Sequence, residues 1–173
     1  MPRHVEYNGE PIATGIFKES VTGPVLVKQL NLEGDRQADL RVHGGRLKSV
    51  YVYPAEHYGF WRKELPDTDL PWGVFGENLT TEGLLETEVR PGDRLRIGTA
   101  EFAVTQPRYP CFKLGIRFGR KDIIRRFAKS LRTGFYLSVE KTGELQADDP
   151  VEFLPGEGGL NISEVAARKF GRE

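Results

Sequence analysis

The sequence contains a single cysteine, Cys111, among its 173 residues. One cysteine excludes an internal disulfide, a cysteine-rich zinc site and a cysteine-ligated iron–sulfur cluster. The histidines His4, His43 and His57 are scattered along the chain and do not have the spacing of a metal-binding motif. These classes of stabilising or metal-binding site are therefore excluded.

The chain also lacks an excess of either charge and any long apolar run. Lysine and arginine number 25, as do aspartate and glutamate, so there is no global attraction to nucleic acid or to an anionic membrane. No apolar stretch approaches the roughly 20 residues of a membrane span, and the first residues lack the apolar core of a signal peptide. We therefore expect a cytoplasmic protein without nucleic-acid or membrane partners, and low charge repulsion permits a homodimer.

Glycine and proline separate short apolar segments, which is a pattern typical of β-structure. Alternation is clear where Val50 and Val52 face one way and Tyr51 and Tyr53 the other. The pattern predicts strands at Ile12–Phe17, Pro24–Leu30, Lys48–Tyr53, Arg94–Ile97, Glu101–Gln106, Phe135–Val139 and Val151–Leu154. It predicts one helix that starts at Pro54 and two more at Lys121–Leu131 and Ile162–Phe170.

Many short strands with few helices predict a mainly β fold, a closed or nearly closed β-barrel, because closure removes exposed strand edges. We expect this barrel domain to occupy residues 1–155. Residues 156–173 are predicted to form a glycine-rich linker and a short helix, in which Asn161 and Glu164 have the spacing of a capping box.

The surroundings of Cys111 suggest chemistry, although a lone cysteine is often a small buried apolar residue. Arg108 and Lys113 are close in sequence, and a nearby cation favours the thiolate. Pro107 and Pro110 stiffen the backbone, so the sulfur is predicted to lie in a rigid loop just after a strand. This setting suits a nucleophile or a ligand to a soft metal, and the spacing does not choose between them.

Three further segments are candidates for a binding site. Residues 34–45 end in His43-Gly44-Gly45, where glycines would let the backbone approach a ligand, although a solvated loop is the simpler interpretation. Residues 73–79 include Asn78 and could be a plain β-turn. In residues 132–136, Gly134 could be only a helix C-cap. Phosphate-loop, dinucleotide-binding and serine-nucleophile motifs are absent.

Taken in order, these segments resemble the MOSC domain family, named for the C-terminal domain of molybdenum cofactor sulfurases, and most closely its stand-alone, YiiM-like bacterial branch. The resemblance runs from about residue 12 to residue 154. Its pieces are Gly34-Asp35, Asp39, His43-Gly44-Gly45, Lys48, Tyr51, Tyr53, Gly76-Glu77-Asn78-Leu79, Gly92-Asp93, Gln106-Pro107-Arg108, Pro110-Cys111, Lys113 and Arg132-Thr133-Gly134-Phe135-Tyr136. One departure is Arg46-Leu47, where the family usually has Pro-Asp.

The resemblance implies a barrel similar to that of pyruvate kinase and a bound molybdenum cofactor (molybdopterin). It implies that Cys111 is the catalytic residue and the ligand to molybdenum. The remaining cofactor contacts are expected from Arg108, Lys113, His43, Gly44, Gly45, Asn78 and Lys48. Cationic and backbone N–H donors suit the cofactor phosphate, and a thiolate suits the metal. We expect Cys111, His43 and Asn78 to approach one cleft.

Related amidoxime-reducing proteins reduce N-hydroxylated substrates at molybdenum, so the resemblance implies a molybdenum-dependent reductase of N-hydroxylated bases or related small molecules. Electrons are expected from a separate reductase, because the sequence has no flavin or nicotinamide fingerprint. Two alternatives remain open. One is a sulfur carrier or sulfurtransferase that uses a Cys111 persulfide, and the other is a non-catalytic module that stores or delivers the cofactor.

Overall fold

The computed structural model of the protein describes residues 3–35 and 44–171. In this part of the chain the α-helices are α1 (Glu56–Glu64), α2 (Phe112–Phe118), α3 (Asp122–Ser130) and α4 (Ile162–Lys169). The strands are β1 (Arg3–Tyr7), β2 (Glu10–Thr14), β3 (Val25–Val27), β4 (Val50–Pro54), β5 (Leu79–Thr81), β6 (Arg94–Ile97), β7 (Ala100–Pro107), β8 (Phe135–Lys141), β9 (Gly143–Leu145) and β10 (Val151–Leu154). The predicted mainly β fold with a few short helices is confirmed.

Six strands form one strongly curled sheet in the order β10-β6-β7-β8-β4-β5. All neighbours are antiparallel except β4 and β5, which run parallel and are connected through α1. A parallel pair needs such a crossover, because a tight turn can only reverse the chain. The pairs β1–β2 and β3–β9 form two separate two-stranded sheets.

The curled sheet is a half-barrel, so the prediction of a closed barrel is wrong. Closure requires the two outer strands to pair, and within the described residues β10 and β5 each pair on one side only. The apolar interior is covered in another way. Val27 of β3, Leu145 of β9 and Ile162 of α4 belong to the same buried core as the sheet residues. A ribbon and a helix therefore take the place that a closing strand would have.

Side chains alternate between two cores on opposite faces of the sheet, as the sequence predicts. Val50 and Val52 of β4 lie in the first core with residues of β6, β7 and β8. Tyr51 and Tyr53 lie in the second core, where Trp61 of α1 packs with residues of α2 and α3. This second core positions the functional site, because its helices and the outward-facing tyrosines meet at the end of β7.

The C-terminal helix α4 is docked on the body of the protein. The Asn161 side chain accepts the Glu164 backbone N–H at 2.9 Å, and the Glu164 carboxylate accepts the Asn161 N–H at 2.8 Å. This confirms the predicted capping box, and Ile162 is fully buried. No helix in residues 3–35 and 44–171 is long and apolar enough to cross a membrane.

Candidate functional site

An open cleft with about 700 Å³ of empty space, part of it exposed to solvent, lies where β4, the segment after β7 and the N-terminal segment meet. Five of the predicted site residues line this cleft: Lys48, Asn78, Arg108, Cys111 and Lys113. They come from three separate stretches of the sequence, at positions 48, 78 and 108–113. The fold thus brings together Cys111 and Asn78, as predicted, and their roles in cofactor binding remain predictions.

Cys111 lies after the end of β7 and immediately before α2, in the N-cap position of that helix. Its side chain makes no capping hydrogen bond, is half-buried and lines the cleft. The prediction of a loop after a strand is confirmed, whereas the helix that begins at Phe112 was not predicted. The thiol therefore lies at a fixed junction and faces the cleft.

Arg108 is a buried cation in the floor of the cleft, with 6% of its surface exposed. Its Nη1 donates to the Phe75 carbonyl at 2.6 Å, and its guanidinium carbon lies 4.8 Å from the centroid of the Tyr51 ring and 5.5 Å from that of Phe127. Among the described residues, no carboxylate lies within ion-pair distance of this guanidinium. Buried charges are normally paired, so Arg108 has unused capacity for an anion.

Tyr51 and Tyr136 contribute aromatic side chains to the cleft. Sequence reasoning included Tyr136 only as part of the candidate segment 132–136 and did not assign Tyr51 to the site. They are paired directly across β4 and β8, with ring centroids 5.3 Å apart. Burial raises the pKa of both hydroxyls, although the Arg108 charge lowers it in part. Both hydroxyls therefore remain protonated near neutral pH. The alternation in β4 and β8 was the available signal, because it places both tyrosines on one face.

The segment from Arg132 to Gly134 supports this floor from behind. The Tyr51 hydroxyl donates to the Thr133 carbonyl at 2.7 Å, and the Gly134 N–H donates to the Glu86 carboxylate at 2.6 Å. A Cβ at Gly134, where φ is 61°, would lie 2.3 Å from the Val52 carbonyl oxygen. Glycine is therefore required by close backbone contact. The helix C-cap interpretation is wrong, since residue 131 caps α3.

The Glu86 carboxylate that holds Gly134 has a second buried partner. Its other oxygen lies 2.7 Å from Nε2 of His57 on α1, and both side chains are buried. His57 is in edge-to-face contact with the Tyr53 ring. His57 therefore has a structural partner away from the cleft, and Glu86 connects α1 to the segment that supports Tyr51.

Asn78 is held at both ends of its amide group. Its Oδ1 accepts the Tyr51 N–H at 2.9 Å, and its Nδ2 donates to Oδ2 of Asp35 at 2.7 Å. The other oxygen of Asp35 accepts a hydrogen bond from the Lys18 ammonium at 2.5 Å. Lys18 and Asp35 also line the cleft. Asp35 belongs to the candidate segment 34–45, whereas sequence reasoning missed Lys18, which is distant from Cys111 in the chain.

The predicted glycine loop is described only in part. His43 lies outside the described residues. Gly44 and Gly45 precede a 3-10 turn at Arg46–Lys48, and of these residues Lys48 lines the cleft. Gly45 has a φ of 94°, a conformation that glycine adopts readily. Contact of Gly44 and Gly45 with a cofactor remains a prediction.

Within the described residues no group of three or more histidine, cysteine, aspartate and glutamate side chains could hold a metal ion. The cleft instead presents one thiol with several cations: Arg108, Lys18, Lys48 and Lys113. Such a donor set fits an anionic ligand that brings its own metal.

Comparison with known proteins identifies the class to which this fold and cleft belong. The crystal structure of YiiM from Escherichia coli superposes with a TM-score of 0.79, at 34% identity over 90% of this chain and 74% of that one. YiiM from Geobacillus stearothermophilus gives a TM-score of 0.80, at 29% identity over 98% of this chain and 80% of that one. Residues 39–152 match the MOSC domain, and the chain belongs to the MOSC domain family.

Two relatives in sequence are bacterial proteins that are longer than this chain. YflK of Bacillus subtilis is 43% identical over 93% of this chain and 73% of its own length, and YiiM of Escherichia coli is 39% identical over 92% and 71%. A reductase of Gibberella moniliformis is 34% identical over 91% of this chain, but the match covers only 29% of that longer protein. The predicted resemblance to the stand-alone bacterial branch is thus confirmed.

Proposed function

We propose that the protein binds a molybdenum cofactor in this cleft and reduces N-hydroxylated bases or related compounds, with electrons from a separate reductase. The observation that carries the proposal is the position of the Cys111 thiol in the same cleft as Arg108, a buried cation with no carboxylate partner among the described residues. Membership of the MOSC family and the relative named as a reductase support it.

The donor set of the cleft fits such a cofactor. A molybdopterin supplies dithiolene sulfurs to the metal, so one protein thiolate, from Cys111, would complete the sulfur ligation. Its phosphate needs cationic donors, which Arg108, Lys48 and Lys113 would provide. When bound, the cofactor supplies a two-electron redox centre that can take up one oxygen atom.

The side chains have distinct tasks in this proposal. Reduction of an N–OH group consumes two electrons and two protons, breaks the N–O bond and releases one water molecule. Arg108 and the lysines hold the anion and fix its orientation. Tyr136 holds a proton at the cleft, because burial raises the pKa of its hydroxyl. The aromatic floor of Tyr51 and Tyr136 excludes water from below.

The test compares wild-type protein and Cys111→Ser, both purified from cells that synthesise the cofactor. Molybdenum is measured by elemental analysis, pterin by fluorescence after oxidation, and turnover of an N-hydroxylated purine with an artificial electron donor. A serine hydroxyl is a poor ligand for a thiophilic metal and stays protonated, so we expect retained fold, reduced pterin and no turnover.

Each other outcome has a defined meaning. Wild-type turnover in Cys111→Ser would rule out Cys111 as the metal ligand. Wild-type protein that binds molybdenum and pterin without turnover would identify a module that stores or delivers the cofactor. Sulfur transfer by wild-type protein that contains neither would favour the persulfide alternative.

A further inference from the structure

We infer that the β1–β2 hairpin is a specificity wall of the cleft, and that Tyr7 limits the size of molecules that reach Cys111. The inference rests on the proposed function in taking Cys111 as the reactive centre. It adds residues that determine which substrates enter. Tyr7 packs on Phe112, the residue that follows Cys111, with ring centroids 5.2 Å apart and ring planes tilted by 32°.

The hairpin depends on side chains for its position. Within the described residues β1 pairs only with β2, so no ladder of backbone hydrogen bonds ties the hairpin to the main sheet. Val5 and Tyr7 are half-buried, whereas the alternating residues His4 and Glu6 are exposed. One face of the hairpin is therefore turned toward the body of the protein, and Tyr7 reaches Phe112 from that face.

The last residue of β2 and the chain that follows it are anchored in the cleft. Thr14 is fully buried, and Thr14, Ile16 and Lys18 all line the cleft. Ile16 and Lys18 pack against two glycine turns: a Cβ at Gly76 would lie 2.8 Å from Ile16, and one at Gly73 would lie 3.0 Å from Lys18. The base of the hairpin is thus fixed, while the aromatic contact of Tyr7 holds the end near the turn.

The hairpin and the segment that anchors it lie outside the residues that match the MOSC domain, which begin at residue 39. The part of the chain that matches the MOSC domain therefore provides Cys111 and Arg108, and the N-terminal segment adds a wall beside them. A wall that is fixed at its base and held by one aromatic contact near its turn admits small molecules and resists bulky ones. Loss of the Tyr7 ring would widen the entrance without removing any group that lines the cleft.

The sole cysteine allows a direct test in cofactor-free protein. We would measure second-order rates of Cys111 alkylation by iodoacetamide, which is small, and by fluorescein maleimide, which is bulky. Loss of one aromatic pair in Tyr7→Ala should raise the ratio of bulky to small rates by roughly 3- to 10-fold. Tyr7→Phe keeps the ring and should match wild type, as should Glu6→Ala on the exposed face of β1.

An unchanged ratio in Tyr7→Ala, with circular dichroism showing an intact fold, would overturn the inference. If Tyr7→Ala does not fold, Phe112→Ala removes the same contact from the other side and must give the same increase. Because alkylation needs no cofactor, its result is independent of whether the protein is a reductase. If the reductase proposal holds as well, Tyr7→Ala should improve kcat/KM for bulky N-hydroxylated substrates relative to small ones, with unchanged pterin content.

Discussion

The guanidinium carbon of Arg108 lies 4.8 Å from the centroid of the Tyr51 ring, and both residues line the cleft that contains Cys111. The ring face is electron-rich and stabilises the buried cation without neutralising it, as a carboxylate would. The contact therefore keeps a positive charge in the floor of the cleft although the whole chain has no net charge.

Arg108→Met should lower cofactor retention without unfolding the protein. Methionine has a similar length and is apolar, so it can pack on the rings of Tyr51 and Phe127, and removal of a buried charge is often neutral for stability. Each charged hydrogen bond to the anion contributes about 1.5–3 kcal/mol, and that contribution would be lost. Pterin content and thermal melting are measured on the same preparations.

The matched control for Arg108→Met is Lys121→Met, which removes an exposed cation at the start of α3. The pterin content of Lys113→Met should lie between those of Arg108→Met and Lys121→Met, because Lys113 lines the cleft but is less buried than Arg108. Equal pterin content in Arg108→Met and Lys121→Met would mean that Arg108 does not hold the anion. Unchanged pterin retention in a variant with both Arg108 and Lys113 replaced by methionine would show that neither residue holds the anion.

The local patterns in the sequence were enough to predict much of the sheet. Alternation at Val50–Tyr53 and at Phe135–Val139 assigned side chains to the correct faces of the sheet. This works because successive side chains of a strand point to opposite faces. Strand pairing was not accessible in the same way. Which strand lies next to β5, and whether β10 closes the barrel, depends on long-range packing of β3, β9 and α4.

The site was predicted best where its residues are close in sequence. Arg108, Cys111 and Lys113 could be grouped by their spacing, but Lys18 and Asp35 reach the cleft only through the fold. Helix α2 was missed because Pro110 precedes it and Gly115 lies within it, and both lower the helix signal. At Gly115 a Cβ would lie 3.4 Å from the Arg120 carbonyl oxygen, an ordinary van der Waals distance, so packing does not explain the glycine.

Asn78→Ala should destabilise the protein by about 1–3 kcal/mol, because the Tyr51 N–H loses its acceptor next to a buried strand. Asn78→Asp retains an acceptor but places a second carboxylate beside Asp35. Like charges disfavour ionisation, so this variant should approach wild-type stability as pH falls from 7 to 4. The free energy of unfolding in urea at both pH values checks this. An Asn78→Asp defect that is independent of pH would contradict the assigned contact.

Tyr51→Phe should change how stability depends on alkaline pH. Burial raises the pKa of Tyr51 above its usual value of 10.0, although Arg108 lowers it in part. A raised pKa means that the contribution to stability is complete below pH 10 and is lost as pH rises further. The variant loses the hydrogen bond to the Thr133 carbonyl, which costs about 1 kcal/mol of stability at neutral pH. Because phenylalanine cannot ionise, the stability of the variant falls less steeply than that of wild type above pH 10. The free energies of unfolding of wild type and Tyr51→Phe, measured at pH 8, 10 and 11, should therefore approach each other as pH rises. A difference that stays constant would contradict the buried position of the hydroxyl.

Glu86→Leu should disturb the cleft from a distance. The carboxylate accepts the Gly134 N–H and contacts His57, and a leucine leaves that buried N–H without an acceptor, at a cost of about 1–3 kcal/mol. Glu86→Gln keeps an acceptor for Gly134 and adds a donor for His57, so it should restore most of the stability. The control is Glu88→Leu, an exposed position where the change should stay within about 0.5 kcal/mol.

The consequence of Glu86→Leu for the site follows from the chain of contacts through Thr133 to the Tyr51 hydroxyl. If the segment from Arg132 to Gly134 shifts, Tyr51 and the Arg108 cation above it lose their fixed positions. The alkylation rate of Cys111 by a small reagent, measured well below the unfolding midpoint, should then differ from wild type in Glu86→Leu and return to the wild-type value in Glu86→Gln. A Glu86→Leu variant that is less stable but has an unaltered Cys111 rate would limit Glu86 to a role in folding and remove it from the support of the cleft.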